Sequence, residues 1–282
     1  MDKVIVGIED SEEARDALHF ARLFADAEGA ELHVVSVYSD SIFYAGREEM
    51  ESARKLFFDR MLDFARQEIG DEVRFLESIE TSVPRGLNEA AEKLGADAIV
   101  IGSSHRGPIG RVLMGDAGAR LAAGSACAVI VTPRGWSNSE HERLGKIGIG
   151  YDASPESEAA IAFGKELAMK AGASPELIGV VPASVTPGRG GFSDLAYWNL
   201  LKDDLEKEVA EATNKIGVEG ATGHVRAGFA ADELTQASAD LDLLVLGSRS
   251  YGPVRRTFLG GTSVRVMRSS ACPVVIVPRA GD

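Results

Sequence analysis

The stretch DAIVIGSSHRGPIGRVLMG, from Asp97 to Gly115, returns as DLLVLGSRSYGPVRRTFLG from Asp242 to Gly260. Each copy reads as a short apolar strand followed by a glycine-punctuated loop. Working outward, the opening VIVGIEDSEEA (Val4 to Ala14) returns as IGIGYDASPES (Ile147 to Ser157), so that Glu9 matches Asp152 and Ser11 matches Ser154. The ending CAVIVTPR (Cys127 to Arg134) returns as CPVVIVPR (Cys272 to Arg279). Three long matches in the same order and with nearly the same spacing mark an internal duplication. Between the copies the segment GWSNSEHERLG (Gly135 to Gly145) is polar and turn-rich. It divides the chain into a first domain at 1–135, a linker at 136–145 and a second domain at 146–282.

Each copy alternates strand and helix. In the first, strands are expected at Val4–Ile8, Leu32–Val37, Val73–Ser78, Ala98–Ile101 and Ala128–Thr132, and helices at Glu48–Ile69, Pro84–Leu94 and Asp116–Ala123. A helix after the first strand is capped by Ser11, with Glu12 and Glu13 in its dipole-favoured first turn, and Gly29 ends it. The second copy repeats the start with Ser154 as cap, Pro155 at the first helical position and Glu156 behind it. Continuous Val, Ile and Leu strands separated by helices imply an α/β fold with a parallel sheet and right-handed crossovers. Such sheets take ligands beyond the carboxyl ends of their strands, where strand order reverses.

The 282 residues are 45% hydrophobic but only 6% aromatic, so small aliphatics must fill the cores of sheets covered on both faces. A net charge of −13 argues against nucleic acid or an anionic membrane as a main partner. The two cysteines, Cys127 and Cys272, occupy equivalent places and support neither a disulfide framework nor a zinc site. Each precedes an apolar strand and reads as a small core residue. The N-terminus has no signal-peptide pattern and no apolar run reaches membrane-helix length, which places the chain in the cytoplasm.

The second-copy loop, Gly247 to Ser263, carries the chemistry. Glycines allow a ligand close to the backbone, and the helix start that follows offers free N–H groups to an anion. Gly260, Gly261, Thr262 and Ser263 can wrap phosphate oxygens, with Arg249, Arg255 or Arg256 supplying charge.

This loop resembles the signature of the universal stress protein family: Gly, two residues, Gly, nine residues, then Gly-Ser or Gly-Thr. The resemblance spans nearly all of both copies, through the first-strand Asp-x-Ser corner and the last Val-x-Val-Pro strand. It implies two tandem Rossmann-like domains, each a five-stranded parallel sheet between helices, and a stress-response regulatory module that binds an adenine nucleotide. ATP, with or without Mg²⁺, is the implied cofactor. The implied site is Asp152 and Ser154 at the strand-one corner, Val180 lining the adenine pocket, and Gly247, Arg249, Ser250, Gly260, Gly261, Thr262 and Ser263 around the phosphates. Ser250 stands where the family has its second Gly, and Gly261 where it has Ser or Thr.

The first copy departs further. His105 replaces the second Gly, Asp116 follows Gly115 where Ser or Thr belongs, and Glu9 replaces the strand-one Asp. A carboxylate at that helix start caps the helix and repels phosphate, so the second copy is the expected site and the first is expected to be nucleotide-free.

The competing reading is a non-binding scaffold, in which the last strands Ala128–Thr132 and Val274–Val277 pair edge to edge as a covalent pseudo-dimer, as the resemblance implies. Whether two chains pair further in a homodimer stays open. An enzyme is the weakest reading, with at most slow ATP hydrolysis. His105 has no paired nucleophile, the sequence holds no P-loop, and His19, His33, His141 and His224 lack ligand spacing. The segment Pro182–Phe192 is a candidate lid, and Tyr197 and Trp198 are expected to anchor the helix beyond it.

Overall fold

The first strand, β1 (Lys3–Ile8), buries Val4, Ile5 and Val6 completely, the signature of a parallel strand covered on both faces. The computed structural model describes residues 1–39, 47–103, 116–139, 141–182, 192–248 and 260–278. It divides into two compact units, Met1–Arg143 and Leu144–Asp282.

In the first unit β1 is followed by α1 (Glu12–Glu28), β2 (Glu31–Ser39), α2 (Arg47–Ile69), β3 (Arg74–Glu80), α3 (Val83–Leu94), β4 (Ala98–Gly102), α4 (Asp116–Gly124) and β5 (Ala128–Thr132). The strands lie in the order β3-β2-β1-β4-β5, every pair parallel. The second unit repeats this with β6 (Lys146–Tyr151), α5 (Pro155–Ala171), β7 (Ser174–Pro182), α6 (Phe192–Ile216), β8 (Thr222–Gly228), α7 (Ala230–Ala237), β9 (Leu243–Gly247), α8 (Gly261–Ser269) and β10 (Val274–Val277). Its order is β8-β7-β6-β9-β10, again parallel throughout. Registers correspond too: β1 aligns Val4 with Ala98, and β6 aligns Ile147 with Leu243.

The expected strands and helices are all present, with ends differing by one or two residues. Ser11 and Ser154 cap α1 and α5 by accepting from Ala14 N and Ser157 N, and Gly29 ends α1 at φ 69°. A paired device sets the register. The Asp97 carboxylate accepts from Asp2 N at 2.6 Å and Lys3 N at 3.1 Å, while Asp242 accepts from Gly145 N and Lys146 N, both at 2.8 Å. In each unit the residue before β4 or β9 therefore holds the entry to the unit's first strand.

The segment after β5 is docked onto the first unit. Asp16, buried within α1, accepts from Gly135 N (2.7 Å), Ser137 N (2.8 Å) and Ser137 Oγ (2.6 Å). The buried Trp136 meets Phe20 edge-on at 5.7 Å and stacks on His141 at 3.4 Å. Ala159 stands in the place of Asp16 in the second unit and has no carboxylate to offer.

Burial pushes the Cys272 thiol up to about 12, against a weaker opposing hydrogen bond with Ser270. Cys127, half-buried, is raised for the same first reason and lies 3.3 Å from Ser125 Oγ. Tyr197 is 58% exposed and Trp198 half-buried, so Tyr197 does not anchor α6 as expected. Helix residues on the solvent side of a long amphipathic helix have no core to reach. Among the described residues no helix is long and apolar enough to cross a membrane.

Candidate functional site

Strand order reverses in the second unit at β6, which has β7 on one side and β9 on the other. A cavity of about 400 Å³ opens at the carboxyl ends of these strands. Its floor forms because β6 carries glycine there: a methyl on Gly150 would meet Leu246 at 2.6 Å. Strand alternation turns Gly179 toward α6, where a methyl would meet Val209 at 3.0 Å, and so turns Ile178 and Val180 to the opposite, cavity-lining face.

Eight of the ten residues expected from sequence line this cavity together: Asp152, Ser154, Val180, Gly247, Gly260, Gly261, Thr262 and Ser263. Arg249 and Ser250 lie outside the described residues, as do Arg255 and Arg256, His105 of the first copy, and residues 183–191 of the candidate lid.

The corner after β6 is organised around Ser154. Its hydroxyl donates to Asp152 Oδ1 at 2.5 Å and accepts from Ser157 N at 3.2 Å, and Ser154 N also donates to Asp152 at 3.3 Å. Capping the helix and orienting Asp152 are thus one arrangement. Between them Ala153 sits at φ 57°, the left-handed region, where a side chain costs about 1–2 kcal/mol.

Gly247 has a packing role that its sequence position did not announce. A Cβ there would overlap the backbone carbonyl of Glu156, in the first turn of α5. Gly102 of the first unit has the same relation to the carbonyl of Glu13. At both places glycine lets the helix after the first strand cross the end of the fourth at backbone contact distance.

Helix α8 begins at Gly261 with Gly260 as a cap that has no side chain to receive its N–H groups. The first intrahelical bond of this turn is Val264 N to Gly260 O, at 3.1 Å. Helix geometry leaves the N–H groups of the opening residues without an intrahelical acceptor, and the dipole adds partial positive charge. Among the described residues, its chain neighbours aside, nothing lies within 4 Å of where a Gly261 side chain would project. The Thr262 and Ser263 hydroxyls follow in the same turn. This end of the cavity therefore suits an anion, while Ile178, Val180, Ala230 and Leu234 give the other end an apolar wall.

Sequence reading missed Tyr151, Glu156, Ala230 and Leu234 as lining residues. Glu156 reads only as a helix-start residue, and Ala230 and Leu234 belong to α7, whose packing against the sheet the sequence pattern alone does not single out. Burial raises the Tyr151 phenol, with the Glu158 and Glu208 carboxylates adding to it.

The first unit has a cavity at the same topological place, about 320 Å³, between β1, β2 and β4. Glu9 replaces Asp152, Ile8 replaces Tyr151, Val83 replaces Ala230, and Phe57 from α2 enters the wall. Helix α4 opens with Asp116, Ala117 and Gly118, so neither hydroxyl of the α8 start is present.

Comparison with known proteins agrees with this architecture. The model of the Universal stress protein family matches residues 1–133 and again 144–278. A universal stress protein of Mycobacterium tuberculosis is 29% identical over 217 residues, covering 74% of this chain and 73% of the relative. One from Mycolicibacterium smegmatis is 23% identical over 295 residues, covering 97% and 96%. Among solved structures, a universal stress protein from Archaeoglobus fulgidus superposes with a TM-score of 0.65 at 18% identity, covering 99% of this chain and 98% of that one.

Proposed function

This chain belongs to the universal stress protein family, and we propose that within it the unit Leu144–Asp282 is a regulatory module that binds one adenine nucleotide, ATP foremost. The observation that carries the reading is the pairing, in one cavity, of an apolar wall with an uncapped helix start rich in Gly, Thr and Ser. A nucleotide needs both ends. Its base and ribose gain from burial against Ile178, Val180 and Leu234, and its phosphates from backbone N–H and hydroxyl donors at Gly260, Gly261, Thr262 and Ser263.

Asp152 is the acceptor at the base and ribose end, held in place by Ser154. Gly261 leaves the phosphates room that a larger residue would narrow. Any Mg²⁺ would arrive with the nucleotide, its ligands completed by phosphates and water. Among the described residues no cluster of three or more His, Cys, Asp or Glu is arranged to hold a metal. Binding is then the event that signals: a ligand with higher affinity for one arrangement of the loop shifts the population toward it.

The test is to release small molecules from the purified protein by denaturation and quantify them per chain, then titrate the stripped protein with ATP by calorimetry. One equivalent of ATP or ADP, lost in Asp152→Ala, supports the reading. A protein that carries no nucleotide and takes up none at millimolar ATP refutes it.

A further inference from the structure

We propose that the cavity of the first unit is a second ligand site, one that takes a small two-ring aromatic compound rather than a nucleotide. An apolar cavity of about 150 Å³ is enough to hold a benzene ring. This one, at about 320 Å³, has room for two fused rings. Its described walls are mostly hydrocarbon: Val35 and Val37 from β2, Leu87 from α3, Ile101 from β4, and the Phe57 ring from α2. The described polar side chains of the lining, Glu9, Ser11, Glu13 and Ser103, all follow the ends of β1 and β4. A ring system can therefore lie among hydrocarbon with a single polar substituent directed to that end.

Phe57 gives the wall a ring that is already held in place. In a chain only 6% aromatic, Tyr38, Phe57, Phe58 and Phe75 gather here. Tyr38 and Phe58 each meet Phe57 edge-on at 5.3 Å, and Phe75 meets Phe58 edge-on at 6.5 Å. Edge contacts of this kind are a favoured geometry of aromatic pairs, and they fix the wall before any ligand arrives. The strands of the second unit bring no ring to this place. Their register puts Val181 where the first unit has Tyr38, and Gly223 where it has Phe75.

The end that suits phosphate in the second unit is altered as well. Helix α4 begins with Asp116, Ala117 and Gly118 where α8 begins with Gly261, Thr262 and Ser263, so both hydroxyls are missing. What the first cavity keeps is the part that suits a base-sized ring. Val83, which lines it, is 44% exposed and so stands at its mouth.

The site does not depend on nucleotide binding in the second unit, and one experiment separates the two. The full chain is titrated by calorimetry with 1-naphthol and with decahydro-1-naphthol, which has the same carbon skeleton and no aromatic ring. We expect saturable 1-naphthol binding at one site, about two- to tenfold tighter than its saturated counterpart, the size of an aromatic pair contact. Phe57→Leu keeps the wall apolar and should erase that preference. Val83→Trp, which fills the mouth from a partly exposed position, should abolish binding with the melting temperature held. Ala230→Trp, which fills the second unit's cavity, and saturating ATP should each leave 1-naphthol binding unchanged. The proposal is overturned if 1-naphthol does not bind, if binding survives Val83→Trp, or if Ala230→Trp or ATP removes it. Equal affinity for the saturated compound also overturns it, as does an aromatic preference that Phe57→Leu leaves intact.

Discussion

The two cavities occupy the same topological place and share the same close glycine contact, yet their linings differ in kind. Beside β6 the cavity has an apolar wall at one end and an uncapped, hydroxyl-bearing helix start at the other. Beside β1 the apolar wall is extended by Phe57 and Val83, and the corresponding helix start is occupied by an acidic residue. Duplication therefore preserved the scaffold, where backbone meets backbone, and let the lining diverge, where side chains face the cavity. That separation is physical. A glycine at a backbone crossing admits no substitute, whereas a lining residue can change without disturbing the sheet.

The sharpest way to break the comparison is at its shared part. Gly247→Val and Gly102→Val should each destabilise their own unit by about 3 kcal/mol or more, since a side chain there must displace the carbonyl of Glu156 or Glu13. Urea melts following each unit with its own probe should show one early transition per variant; a wild-type melt for either would end the equivalence. Next in size, Asp16→Ala should cost the first unit about 2–3 kcal/mol by stripping three hydrogen bonds from a buried carboxylate. The second unit, with Ala159 there, has no such vulnerability. Protease cutting within residues 135–143 should accelerate in the variant, and an unchanged pattern would count against the clamp.

The difference between the linings can be sharpened by moving one residue across. Gly261→Asp reproduces the start of α4 at the start of α8, at a position with no close neighbour among the described residues, so the fold should hold. ATP affinity should fall at least about tenfold, because a carboxylate some 4 Å from a phosphate costs at least about 1 kcal/mol even in water, and more near a protein surface. Calorimetry at constant salt decides it. Undiminished affinity would remove the acidic helix start as the reason for the asymmetry.

The cysteines offer a smaller contrast. With its pKa raised to about 12 by burial, Cys272 has almost no thiolate at neutral pH, while the half-buried Cys127 is raised for the same reason but less enclosed. A thiol reagent should modify Cys127 at least about tenfold faster and reach Cys272 only on unfolding; equal rates would contradict the buried assignment. Smallest of all, Ala153→Gly should stabilise the second unit by about 0.5 kcal/mol, relief of the left-handed strain partly offset by chain entropy. Asp10, its counterpart in the first unit, has no positive φ, and Asp10→Gly should give no such gain.

By itself the sequence determined the duplication, the order of strands and helices, and the helix caps at Ser11 and Ser154. These features rest on short-range rules: apolar runs of strand length, N-cap chemistry, and glycine at helix ends. It also assembled most of the candidate site, because the loop from Gly247 to Ser263 and the corner from Asp152 to Ser154 are each contiguous. Tertiary structure alone decided the rest. That Gly247 packs against the Glu156 carbonyl, that Leu234 and Ala230 wall the second unit's cavity, that Phe57 narrows its twin, and that Asp16 holds the segment after β5 all depend on residues far apart in the chain. No periodicity encodes such contacts; they follow from which faces the crossovers bring together once the sheet has formed.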